Sequence, residues 1–320
     1  MVSNLDTEPA EVSLQAPAPQ PQTLAPREVP LGGPKGILVR RTLPHRAIRT
    51  IGAWCFVDHY GPVDLTAAGA RGMVVPPHPH TGLQTVTWLL EGSVEHRDSV
   101  GSHQTVRPGE LSLMTAGRGI SHSEYSLPGA ERLFGIQLWV ALPEDARRTA
   151  PHFEHHGGLP AGQDDGVGVT VFLGALAGLV SPAVTYSPLL GAQVRLTAGA
   201  VARLPLDPSF EHGVLVADGA ASVDAEPLGF GDLRYLGQGR DGVTVGSDDG
   251  ATLLLLGGEP LREDLLMWWN FVGRTHEDIA AARQDWEAGR GFGQVVGDDR
   301  PRTPAPPLPG VRMMPRGNRP

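Results

Sequence analysis

Turn-forming residues punctuate this chain almost throughout, with glycine at 42 and proline at 30 of its 320 positions. Both weaken or break helix interiors, whereas short strands joined by frequent turns need them. A helical bundle is therefore excluded, and a mainly antiparallel all-β fold is expected. Between residues 35 and 296, short apolar runs alternate with Gly, Pro or Asp: Thr85 to Leu90, Leu111 to Met114, Leu133 to Val140, Val169 to Leu173, Val214 to Ala217 and Ala251 to Leu256. Such lengths suit a sandwich or barrel. One short C-terminal helix is expected, with Thr275 as N-cap and Asp278 three residues later. Ile279, Ala282 and Trp286 then recur at helical spacing until Gly289.

Proline also marks the ends, with seven in residues 1–34 and seven more in residues 301–320. Segments 1–34 and 297–320 read as disordered tails, with too little apolar surface to offset about 1–2 kcal/mol of ordering entropy per residue. Residues 301–320 carry Arg302, Arg312, Arg316 and Arg319 and no acid, and read as solvated rather than as a dock for an acidic partner. The body divides into a first domain, 35–160, and a second, 161–296. An echo supports two units of one type: Trp88 to Gly92 followed by Pro108 to Leu111 matches Leu215 to Gly219 followed by Phe230 to Leu233.

The formal charge of -9 gives no electrostatic case for direct nucleic-acid or anionic-membrane binding. No apolar run approaches the roughly 18 residues of a membrane span. A single cysteine, Cys55, excludes an internal disulfide and a cysteine-based zinc site. Residues 1–12 contain no Lys or Arg, so no signal peptide is read, and a cytoplasmic location is expected.

Twelve histidines are present, and most need no function. His96, His103 and the adjacent His155-His156 read as solvated loop residues, and His212 as a polar surface or turn residue. His78-Pro79-His80 is different. On an extended segment, residues two apart face the same side, and Pro79 biases His78 toward that conformation. His122-Ser123-Glu124 repeats the i, i+2 arrangement after Gly117-Arg118-Gly119. On two strands, the pairs could present three imidazoles and one carboxylate to one ion. Without a thiolate, that set suits divalent Fe, Mn, Co, Ni, Cu or Zn. Four protein ligands on an octahedral ion leave open positions, as a catalytic site requires. Aligning the echo places Pro205 and Asp207 near His78 and His80, and Thr244 and Gly246 near His122 and Glu124, so the second unit is expected to be metal-free.

These motifs resemble the pirins, a branch of the cupin superfamily. The resemblance is carried by His78 to Gly82, Thr85 to Gly92 and, most specifically, Met114 to Glu124. Leu43 to Arg46, Asp58 to Pro62, Gln137 to Val140, Gly257 to Pro260 and Trp268 to Val272 extend it from about residue 30 to about 290. It implies a bicupin of two stacked β-barrels, with one mononuclear metal in the first, commonly iron, here Fe(II). The family's ligands fall on His78, His80, His122 and Glu124. Two positions depart from the family pattern: Thr81 stands where Arg is usual and Gln84 where Glu is usual. Neither is a ligand in that pattern, and both make the pocket less charged.

The resemblance implies a quercetin (flavonol) 2,3-dioxygenase that opens the flavonol with O2 and releases carbon monoxide. In that reading Glu124 is the candidate base for the acidic 3-hydroxyl. The alternatives are a non-enzymatic, iron-dependent redox-responsive regulator that binds a protein partner, and a cupin acting on another small oxygen-bearing metabolite.

Overall fold

The computed structural model describes residues 20–30, 37–67, 72–127 and 129–318. Most of the expected N-terminal tail, residues 1–19 and 31–34, lies outside the described residues. The fold is mainly antiparallel β, with each half built from a seven-stranded and a four-stranded sheet. In the first half the larger sheet has the order 152–156, 111–115, 83–91, 132–141, 54–64, 38–43, 27–30. The smaller one has the order 74–80, 120–126, 94–98, 103–106.

The second half repeats both orders. Its larger sheet runs 22–24, 233–237, 211–219, 251–258, 189–196, 167–173, 161–164, and its smaller one 201–205, 242–246, 221–223, 226–228. The sequence echo therefore has a structural basis, since 83–91 and 111–115 hold the same sheet places as 211–219 and 233–237. Gly92 and Gly219 end the equivalent strands with φ of 84° and 75°, a conformation that favours glycine.

Side-chain alternation explains how the halves join. Val86 and Trp88, Ile136 and Leu138 point out of the first large sheet, and Leu215, Leu254 and Leu256 out of the second, into one shared apolar core. Trp54 fixes the contact by donating its indole N–H to the Leu190 carbonyl at 3.0 Å. The opposite faces of the strands look into each half's own barrel.

The helix spans His276–Glu287 and begins with the capping box read from the sequence: Asp278 N–H donates to the Thr275 hydroxyl, and the Asp278 carboxylate accepts from Thr275 N–H. Ile279 and Trp286 are its buried residues.

The expectation of disordered tails requires correction wherever the tails are described. Gln22–Leu24 pairs with 233–235, and Leu24 is fully buried. Arg27–Pro30 pairs with 38–41. Residues 297–318 wrap back across the body. Thr303 N–H donates to the Pro77 carbonyl at 2.7 Å, Ala305 is buried, and Leu308 and Met313 pack on the cluster of Phe271, Trp286 and Phe292. The Asn318 side chain ties Arg49 and Thr50 of the first half to Glu211 of the second. The arginines are used internally: Arg302 donates to the Trp286 carbonyl, and Arg312 makes a two-pronged pair with Glu277. Proline density misled because a chain already restricted by proline loses less entropy when it docks.

Candidate metal centre

Strands 74–80 and 120–126 pair so that His122 lies opposite His78 and Ile120 opposite His80. The register shifts between His122 and Glu124, where the strand also pairs with 94–98 and sets Glu124 opposite His96. Gly82 makes the sharp exit from the first ligand strand, at φ 71°, where a Cβ would fall 2.2 Å from the Val272 carbonyl oxygen. Glycine is required there both by conformation and by space.

All four residues singled out for the ion are buried: His122 at 0% exposure, His80 at 2%, Glu124 at 5% and His78 at 7%. Ligand atoms of His78, His80 and His122 lie within 4.8 Å of one another, as do those of His96, His122 and Glu124. The two groups meet at His122. His78 and His80 face the carbonyls of Pro76 and Asn270 through Nδ1, each at 3.0 Å. A carbonyl can only accept, so these Nδ1 atoms carry the hydrogen and Nε2 keeps its lone pair. His122 Nε2 is buried and has no hydrogen-bond partner.

A buried polar atom without a partner is costly, and three imidazole lone pairs in one place are what a borderline divalent ion accepts. The donor set thus fits a metal. Burial lowers the His78 pKa to about 4 and puts His80 and His122 well below the usual histidine range, so all three are neutral. Burial raises the Glu124 carboxyl, against His96 and the Thr87 hydroxyl, which donates to Glu124 Oε1 at 3.0 Å.

Several residues differ from their sequence reading. His96 is 2% exposed, not solvated, with Nε2 3.1 Å from Asp98 and Nδ1 3.4 Å from His122 Nδ1. The signal was period-two alternation in Val94-Glu95-His96-Arg97-Asp98, where alternate residues are buried. His212 is fully buried, not a surface residue, because strand 211–219 lies inside the second large sheet. His103 is exposed and pairs with Glu95. His155 and His156 are half-buried edge-strand residues paired with Glu110 and Glu154. The Gln84 side-chain amide is engaged elsewhere, donating to Thr115 Oγ1 and the Val184 carbonyl.

In the second half, pairing register corrects the equivalences. Pro205 opposes Gly242 and Arg203 opposes Thr244, so Arg203 and Pro205, not Pro205 and Asp207, take the places of His78 and His80. Thr244 and Gly246 take those of His122 and Glu124, and Ser222, opposite Gly246, that of His96. A cavity of about 750 Å³ is lined by residues of segments 174–190 and 205–212 and not by the histidine cluster.

A metal-fitted first barrel and a second barrel of the same topology define a bicupin. Residues 36–140 match the pirin family and residues 191–293 the pirin C-terminal cupin domain. The chain is 47% identical to a Pseudomonas aeruginosa protein provisionally named a quercetin 2,3-dioxygenase, over 90% of both chains. It is 32% identical to human pirin, over 80% of this chain and 89% of the other. A crystal structure of quercetin 2,3-dioxygenase from Acinetobacter baumannii superposes with a TM-score of 0.87 at 40% identity, covering 92% of this chain and 98% of that one. The chain belongs to the pirin family.

Proposed function

We propose that this protein is a mononuclear-metal flavonol 2,3-dioxygenase whose ion, Fe(II) in the first instance, is held by His78, His80, His122 and Glu124. The observation that carries the metal assignment is the set of three buried neutral imidazoles, two with Nδ1 tied to carbonyls and one with an unpartnered Nε2. The named relatives in Pseudomonas and Acinetobacter support the activity. When bound, the ion supplies Lewis acidity and open positions suited to a flavonol and dioxygen.

The chain's own residues do the rest. Phe56 and Trp139 stack at 4.0 Å and 13°, and Trp139 stands 5.1 Å from the His80 ring, giving flat flavonol rings an apolar wall beside the ligands. Glu124 accepts the proton of the 3-hydroxyl as the one carboxylate beside the three imidazoles, a weaker base once it also ligates the ion. The Thr87 hydroxyl lies 3.0 Å from Glu124 Oε1 and from Gln137 Oε1, and with its one hydrogen given to Glu124 it orients the carboxylate. The low exposure of this wall limits water at the reacting carbon.

The test is oxygen uptake and carbon monoxide release by iron-loaded, nickel-loaded and manganese-loaded protein given quercetin. Quercetin-dependent uptake is expected, lowered about 100-fold or more in Glu124→Gln. No uptake with any ion would overturn the enzyme reading and leave ion-dependent binding of a protein partner as the one to pursue.

A further inference from the structure

We infer that Asp98 and His96 are positioning residues that fix the tautomer of His122, so that its Nε2 presents a lone pair to the ion. The inference rests on the reading of His122 as a ligand and assigns a role to two residues outside the ligand set. Asp98 is fully buried. Its Oδ1 accepts the backbone N–H groups of Val100 at 3.0 Å and Ser102 at 2.9 Å, and its Oδ2 faces His96 Nε2 at 3.1 Å. A carboxylate so engaged is an acceptor, so His96 Nε2 carries the hydrogen.

A neutral imidazole has one N–H, so His96 Nδ1 is then a lone pair. It lies 3.4 Å from His122 Nδ1. Two lone pairs do not face each other at that distance, so His122 Nδ1 donates and His122 Nε2 is left as the bare nitrogen. That nitrogen is the buried atom without a partner. Phe153 stacks on the His96 ring at 4.3 Å and 16°, which fixes its plane. His78 and His80 get the same instruction from single carbonyls. Among the described residues His122 Nδ1 has a hydrogen-bond contact with His96 Nδ1 and with no carbonyl, so the Asp98–His96 pair supplies the acceptor from the neighbouring strand.

The experiment uses the full-length protein and two readouts. Long-range proton–nitrogen NMR of metal-free protein is expected to show His122 protonated at Nδ1, and an Nε2-protonated His122 would overturn the inference. Titration with Co(II), followed by its visible spectrum, is expected to show affinity lowered about 10- to 100-fold in His96→Leu. His96→Gln, whose amide oxygen can accept from His122 Nδ1, should recover most of the loss. Unchanged affinity in His96→Leu would overturn the positioning role. A His96→Gln as defective as His122→Ala would do so too, by marking His96 as a ligand. Wild-type affinity in His78→Ala would instead defeat the metal reading itself.

Discussion

In the first barrel the facing pair Thr87 and Gln137 carries hydroxyl and amide groups inward, where the Thr87 hydroxyl meets Glu124. The equivalent strands of the second barrel place Val214 and Val216, Leu253 and Leu255 inward, within one aliphatic core that also holds Ala192, Val194, Val223, Val243 and Val245. The first barrel's apolar interior is correspondingly split. One cluster gathers Phe56, Leu83, Met114 and Trp139, another Tyr60, Met73, Leu89 and Val94, with the polar site outside both. Identical strand order thus supports either a continuous core or a buried polar centre. The difference shows what a buried polar centre costs, since each buried polar atom there needs a partner that an aliphatic side chain would not.

The largest expected effect separates the barrels by ion content. His122→Ala should reduce bound metal from one ion per chain to background and abolish quercetin-dependent oxygen uptake. Arg203→Ala, on the equivalent strand of the second barrel, should leave both unchanged. Metal analysis checks this, and loss of the ion in Arg203→Ala would break the comparison. Stability should divide the other way. Leu255→Ala opens a cavity in the continuous core and should cost about 2–5 kcal/mol in urea denaturation. Thr87→Val keeps the volume and removes one hydroxyl, so it should cost about 0.5–1.5 kcal/mol in stability while reducing oxygen uptake. Equal destabilisation by the two would contradict the contrast between a packed and a functional interior.

The fold and the clustering of the four candidate residues were legible because both follow from short-range rules. Strand alternation placed His78 with His80 and His122 with Glu124, and turn residues bounded nearly every strand. What was missed depends on pairing between distant strands. Local alternation buries His96 with Val94 and Asp98, but it does not show what His96 meets. Strand 94–98 brings His96 opposite Glu124, whereas His103, across the same hairpin, is left at the surface. The shift from Asp207 to Arg203 as an equivalent of a ligand position is likewise a matter of register, which sequence similarity across unequal loops did not fix. The C-terminal strap escaped notice because its docking partners, Trp286, Pro77 and Thr50, lie far away in sequence.

Acid should expose the second barrel's buried histidine. Burial lowers the His212 pKa to about 4, against opposing contributions from Asp207 and the Phe210 backbone. The unfolded chain therefore takes up a proton near pH 6.5 that the folded chain refuses until about pH 4. Stability from this group is complete above pH 6.5 and is lost as pH falls toward 4, by about 3 kcal/mol. In metal-free protein His78 contributes in the same direction, so the informative quantity is the difference between wild type and His212→Leu. That difference should move by about 3 kcal/mol in favour of the variant between pH 7 and pH 4. A pH-independent difference would mean that the second barrel admits water at His212.

The smallest effect is expected where both barrels share a cover. The strap contacts the first barrel at Pro77 and the second at Glu211, and its most visible link to the helix is the ion pair between Arg312 and Glu277. Both side chains are largely exposed, so salt and side-chain entropy offset the attraction. What holds the strap is the apolar contact of Ala305, Leu308 and Met313 with Trp286 and Phe292, together with the backbone bond from Thr303 to Pro77. Arg312→Ala should therefore melt indistinguishably from wild type in calorimetry at any salt concentration. Met313→Ala should melt measurably lower and do so independently of salt. A salt-dependent drop in Arg312→Ala would assign the strap's attachment to charge, and would restore to its arginines the electrostatic role that the buried contacts now hold.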